Sequence, residues 1–176
     1  DKVTALDSVG GWISHLFQYV TGSLKDVTFE VYALEDVKSA DGESEDYYKK
    51  DELVATITTD DTGIAKISGL PLGKYYVKEK ATVEGFVLDD EAREIDLTYR
   101  DQDTAEVTYS ADWQNNRQKA EVKVVKKEKD SDRVLEGAVF ALCVKDDITG
   151  ADGKVILKAD TVIEELATDK EGKLTF

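Results

Sequence analysis

The side chains best equipped for covalent or metal chemistry are scarce in this sequence. One cysteine, Cys143, and one histidine, His15, occur in 176 residues. A lone thiol forms no internal disulfide, and a lone imidazole supplies neither a multi-histidine metal site nor a histidine-based triad. With nothing placed to activate it, Cys143 is expected to be a small buried apolar group in a strand, in step with Tyr32. His15 reads as part of the segment around it. Carboxylates are plentiful, 38 Asp and Glu against 23 Lys and Arg, for a net charge of −15. Such a chain repels phosphate backbones, so nucleic acid is not an expected partner. The acidic turns Asp60-Asp61-Thr62-Gly63 and Asp101-Gln102-Asp103 lack the ligand spacing and closing Glu of a calcium loop and read as plain turns. No Gly-rich phosphate loop follows a strand and opens a helix. No metal or cofactor is expected. An enzyme with turnover would have to be a carboxylate-based hydrolase, and no motif marks the close pair of acids it needs.

The elements that must hold any site are mostly strands. Apolar residues alternate with polar ones in Val27–Tyr32, Leu53–Thr58, Lys74–Glu79, Glu106–Tyr109 and Glu121–Val125. Turn clusters at Asp41-Gly42, Asp60–Gly63, Leu72-Gly73 and Glu84-Gly85 separate them, at the spacing of an antiparallel sandwich. With 41% hydrophobic residues a core can form, and no stretch approaches the roughly 18 apolar residues of a membrane span. Membrane insertion is therefore not expected.

The pattern also repeats. Leu24-Lys25-Asp26-Val27-Thr28-Phe29 is echoed by Leu135-Glu136-Gly137-Ala138-Val139-Phe140. Asp36, Ala40, Asp41 and Gly42 fall in step with Asp147, Ala151, Asp152 and Gly153, and the Thr59–Gly63 turn with Thr168–Gly172. The expected organisation is one complete unit over 1–116 and the front half of a second over 117–176, joined with almost no linker. The last residues fall within a strand pattern, as in a piece of a longer protein. A segment at about 8–22 interrupts the first unit. Its Ile13, Phe17 and Val20, with Trp12, Leu16 and Tyr19 alongside, have the spacing of a short helix. That helix is expected to plug an open end of the sandwich or, alternatively, to offer Trp12, Phe17 and Tyr19 to a partner.

Several segments together resemble the collagen-adhesin B-type (Cna B-type) or SpaA-like pilin domains of Gram-positive surface proteins. They are Leu135–Phe140, Gly69-Leu70-Pro71-Leu72-Gly73-Lys74-Tyr75-Tyr76-Val77-Lys78-Glu79, Val83–Phe86, and Asn115–Lys119 leading into Val122–Lys126. The resemblance implies an all-β, Ig-like (prealbumin-like) antiparallel β-sandwich. It also implies a self-made cross-link, in which a Lys on the first strand attacks the side-chain amide of an Asn on the last and releases ammonia, assisted by a buried acid. Such chemistry requires burial that favours the neutral amine and the protonated acid, with packing to supply proximity. By this likeness Glu79 is the acid and Asn115 the amide of the first unit. Lys126 is the amine of the second, with its own acid and Asn expected beyond Phe176. In the first unit the register puts Ala5 at the amine position, with Lys2 out of phase on the opposite face. The first unit is thus read either as lacking the bond or as closing it between Lys2 and Asn115.

The function implied is that of a stalk or spacer in a cell-wall-anchored adhesin or pilus. Such a protein is extracellular, and its partners are neighbouring repeats. The alternative is a binding module that contacts a host matrix protein or glycan through the Trp12–Val20 segment or the Tyr47-Tyr48 loop.

Overall fold

The computed structural model describes residues 2–7, 13–150 and 153–176, with the backbone alone for 2–7. These residues form strands and no helix: β1 (Lys2–Asp7), β2 (Ile13–Gln18), β3 (Thr28–Ala33), β4 (Leu53–Thr58), β5 (Lys74–Ala81), β6 (Arg93–Asp96), β7 (Lys123–Val125), β8 (Val139–Cys143), β9 (Ile148–Thr149), β10 (Val155–Leu157), β11 (Val162–Ala167) and β12 (Lys173–Thr175). They gather into two compact units, a central one of Gly22–Gln118 and a flanking one of Asp1–Thr21 with Lys119–Phe176.

The central unit is built on an antiparallel sheet of order β4-β3-β5-β6. Period-two alternation sends Phe29, Val31 and Ala33 of β3 inward, and Tyr75 and Val77 of β5 with them. The register sets Val31 against Val77 and Ala33 against Tyr75. Val27 and Val37 complete the buried cluster, which is covered by Leu24, Tyr48, Ile57, Leu70, Leu97 and Trp113 among others. Each such apolar side chain contributes about 1.5–3 kcal/mol when removed from water. The same alternation places Glu79 on the inner face, opposite Phe29, so a carboxylate sits at the end of an apolar row.

In the flanking unit β1 pairs antiparallel with β2, and the sheet runs β1-β2-β11-β8. Two further pairs, β10-β9 and β12-β7, complete it, and its buried apolar residues are Val144, Leu157 and Leu174.

Several sequence expectations are corrected here. Ile13–Gln18 is a strand and not a helix. Ser14 pairs with both Leu6 and Glu164, and His15 Nδ1 lies 2.8 Å from the Ile163 carbonyl. A helix this short has a costly nucleus, whereas a strand of Ile, Leu and Phe gains partners on both edges. By contacts, residues 1–21 group with 119–176 and the compact units meet in sequence at Gly22 and Gln118. Cys143 is exposed, on the outward phase of β8, not buried. Glu106–Tyr109 joins no ladder although its pattern is strand-like. Trp12 and the Ala151-Asp152 match lie outside the described residues.

Hydrogen bonds recur between the units at the sequence-matched positions. Thr59 Oγ1 donates to the Leu24 carbonyl (2.7 Å) and accepts from Val27 N–H (2.9 Å). Thr168 Oγ1 does the same with Leu135 (2.6 Å) and Ala138 (2.9 Å). Asp60 Oδ1 accepts from the N–H groups of Thr62 and Ile64, as Asp169 Oδ1 does from Glu171 and Lys173. Asp36 accepts from Lys50 N–H as Asp147 does from Ala159 N–H. Asp51 and Asp160, each with φ 63°, turn the chain two residues before β4 and β11 respectively.

Candidate site at Glu79 and Asn115

Glu79 is 3% exposed. Asn115 Nδ2 donates to both of its carboxylate oxygens at 2.8 Å, and also to the Val87 carbonyl at 3.1 Å. Both amide hydrogens are thus engaged, one shared between the carboxylate oxygens and one on the backbone. A longer bond, 3.4 Å, runs from Asp89 N–H to Glu79 Oε2.

The loop after β5 sets this geometry. Val87 N–H donates to the Asn116 carbonyl (2.7 Å) and Gln118 N–H to the Gly85 carbonyl (2.8 Å), while Phe86 bridges Arg117. These bonds hold the 113–118 segment so that Trp113, Asn115 and Arg117 turn inward and Gln114 and Asn116 outward. The choice between the adjacent asparagines is made by this phase: Asn115 meets the acid, and Asn116 contributes its backbone.

Aromatic and guanidinium groups wall the site. Trp113 meets Phe29 edge to face at 5.1 Å, and the Arg93 guanidinium lies 3.8 Å above the Trp113 ring. Arg93 also pairs with Asp89 Oδ2 at 3.0 Å and donates to the Asp112 carbonyl at 2.6 Å. Sequence reasoning missed this Asp89–Arg93–Trp113 cluster, although the position of Trp113, two residues before Asn115, was a usable signal.

The site places a buried carboxylate and a half-buried side-chain amide in direct hydrogen-bond contact. Among the described residues no Lys forms an ion pair with Glu79; Lys80, next to it on the same strand, pairs with Glu30 instead. Lys2 lies in β1, paired with Gln18 of β2, and Ala5 is paired with His15. The side chains of Lys2 and Ala5 are outside the described residues. Lys126 has an exposed side chain. Its backbone N–H donates to the Gly172 carbonyl at 2.7 Å, and its carbonyl accepts from Leu135 N–H at 3.0 Å.

Elsewhere the acidic turns do structural work. Asp101 Oδ1 accepts from Asp103 N–H, Thr104 N–H and Thr104 Oγ1, and these bonds hold its carboxyl below the usual range, as Thr62 and Ile64 do for Asp60. No group of His, Cys, Asp and Glu suited to a metal occurs among the described residues. Of the segment expected to meet a partner, Phe17 is half-buried, while Tyr19 is 55% exposed. Tyr47 is exposed as well, whereas Tyr48 packs on the core. No described helix is long and apolar enough to cross a membrane.

Residues 18–113 match the family model of the SpaA prealbumin-like fold domain. Among solved structures the chain is similar to the Bacillus anthracis TIE protein, with 27% identity and a TM-score of 0.53 over 88% of this chain. The match spans 23% of that structure's chain. No curated protein matches.

Proposed function

Because the chain belongs to the SpaA prealbumin-like fold domain family, we propose that it is a structural stalk or spacer module of a cell-wall-anchored adhesin or pilus-like protein on a Gram-positive surface. In this reading it works outside the cell, without turnover chemistry or cofactor, and its partners are neighbouring repeats. The chain comprises one repeat and part of a second, a reading supported by the hydrogen bonds that recur around Thr59 and Thr168.

The observation that carries the proposal is the contact between the buried Glu79 and the half-buried Asn115. It is the acid-and-amide half of a Lys–Asn isopeptide site. In the full reaction an amine Nζ bonds to Asn115 Cγ, the Cγ–Nδ2 bond breaks, and ammonia leaves with the proton that Glu79 relays. A cross-link of this kind restricts the unfolded chain as a disulfide does, without redox sensitivity. That no Lys pairs with Glu79 among the described residues supports reading the first repeat as an uncross-linked spacer, the alternative being a bond from Lys2. Lys126 holds the corresponding amine position of the second repeat.

The test is the intact mass of the denatured chain. The sequence mass is expected. A deficit of one ammonia, mapped by digestion to Lys2 and Asn115, would overturn the assignment of an incomplete site. The exposure of Tyr19 and Tyr47 favours a second reading, a module that binds a host matrix protein or glycan. Saturable binding to immobilised matrix protein, abolished by Tyr47→Ser or Tyr19→Ser, would establish it.

A further inference from the structure

In the flanking unit residues 122–126 run antiparallel to 172–176. Lys173 pairs with Val125, Leu174 with Val124 and Thr175 with Lys123. The ladder extends at both ends through Lys126 N–H to the Gly172 carbonyl (2.7 Å) and the reciprocal Val122–Phe176 bonds (3.1 and 3.0 Å). The matched turn of the central unit leads into Gly63–Ile67 with the same Asp60 bonds, and Ala65 packs on the core where Leu174 is buried. Yet this stretch forms no ladder. The Gly63 carbonyl and the backbone of Ala65 and Ile67 have no backbone partner among the described residues. Ile64 and Ile67 are 58% and 39% exposed.

The chain's own counterpart of 122–126 is used elsewhere. Counting back from Leu24 as from Leu135 gives residues 11–15, and Ile13–His15 belong to β2, paired with β1 and β11. The central unit therefore presents a backbone segment without a ladder partner among the described residues whose repeat twin is paired, and unpaired backbone of this kind is a template for strand addition.

We infer that the Gly63–Ile67 edge of the central unit accepts an extended, basic strand from another polypeptide, bound antiparallel as residues 122–126 are bound to 172–176. The chemistry of the occupant follows from its template and from charge. Residues 119–124 alternate polar and apolar side chains, and 119–129 carry five Lys against two Glu. The central unit carries 23 acidic and 11 basic side chains, and among the described residues no Lys pairs with its buried Glu79. The edge supplies backbone bonds, Ile64 and Ile67 supply apolar contacts, and the acidic unit favours a lysine-rich strand. This docking requires no reaction at Asn115 and stands apart from the isopeptide reading.

The test uses the full chain and a fluorescent peptide of residues 119–129, read by anisotropy at low salt. Saturable binding is expected. It should weaken at least tenfold when the peptide nitrogen of Lys126 is methylated, which removes the N–H that would reach the Gly63 carbonyl without altering the protein. Replacing the five peptide lysines with glutamate should abolish it. Ala65→Pro in the protein should abolish it too, while Leu174→Pro, on the twin edge, should not. Absence of saturable binding would overturn the inference, as it would if the chain's own residues 11–15 fill this edge in solution. So would binding indifferent to N-methylation, or lost through Leu174→Pro and kept in Ala65→Pro. A Lys126→Ala peptide that binds equally well separates docking from any cross-link to Asn115.

Discussion

Asn115 donates its side-chain amide to both carboxylate oxygens of Glu79, at 2.8 Å, across 36 residues of sequence. The two residues thereby tie the last segment of the central unit to β5, one of the two central strands of its sheet. Removing the amide strands a shielded carboxylate with only the 3.4 Å bond from Asp89 N–H. Asn115→Ala is expected to destabilise the central unit by about 1–3 kcal/mol, the cost of a buried polar group left without its partner. Urea denaturation followed by Trp113 fluorescence measures it, and an unchanged midpoint would show that the pair contributes nothing to the fold.

Thr59 is the hydrogen-bonding hinge between the Leu24 carbonyl and Val27 N–H. Thr59→Val keeps the shape and leaves both backbone groups unpaired beside the core. A loss of about 2 kcal/mol is expected from two bonds of ordinary net worth plus desolvation. Thr168→Val removes the matching bonds of the flanking unit. If the two units unfold in separate transitions, each variant lowers only its own.

Gly63 has φ +77°, and a Cβ there would lie 2.8 Å from Ser23 Cβ. Gly42 shares the left-handed backbone, φ +68°, with open space around it. Both Gly→Ala changes incur the left-handed penalty of about 1–2 kcal/mol. Gly63→Ala alone adds a clash with backbone-anchored atoms. Its melting temperature is expected to fall clearly further than that of Gly42→Ala, and equal falls would refute the close approach.

Burial pushes the Tyr75 phenol up to about 12, while its hydroxyl donates to the Pro71 carbonyl at 2.6 Å. The folded state thus keeps a proton that the unfolded chain releases near pH 10. The stability this contributes is complete below about pH 10 and is lost as pH rises through about 12. Tyr75→Phe should flatten the alkaline limb of the stability profile. A phenolate titration in which all tyrosines ionise together near pH 10 would contradict the assignment.

Cys143 is exposed on β8. A thiol-reactive disulfide reagent should label it in the native chain at the rate it labels the chain in urea. Strong native protection would restore the buried position that its sequence context suggested.

Much of this protein was legible from local pattern alone. Alternation in Thr28–Ala33 and Lys74–Ala81 specifies strands and their inner faces, because side chains on a pleated backbone alternate strictly. That rule also puts Glu79 in phase with Tyr75 and Val77, and the motif containing it marked it as an acid to watch. The repeated Thr-Asp-turn segments foretold matching hydrogen bonds, since identical short-range groups close identical turns. Pairing between distant strands was decided elsewhere. Apolar residues at 12, 13, 16, 17, 19 and 20 satisfy a helical period, and only the ladder partners β1 and β11 make Ile13–Gln18 a strand. The same long-range pairing groups residues 1–21 with 119–176, leaves Gly63–Ile67 outside every ladder among the described residues, and selects Asn115 over Asn116 through the bonds of Val87. Composition and period determine which face of a strand is apolar; which strand lies beside it depends on contacts made across the whole chain.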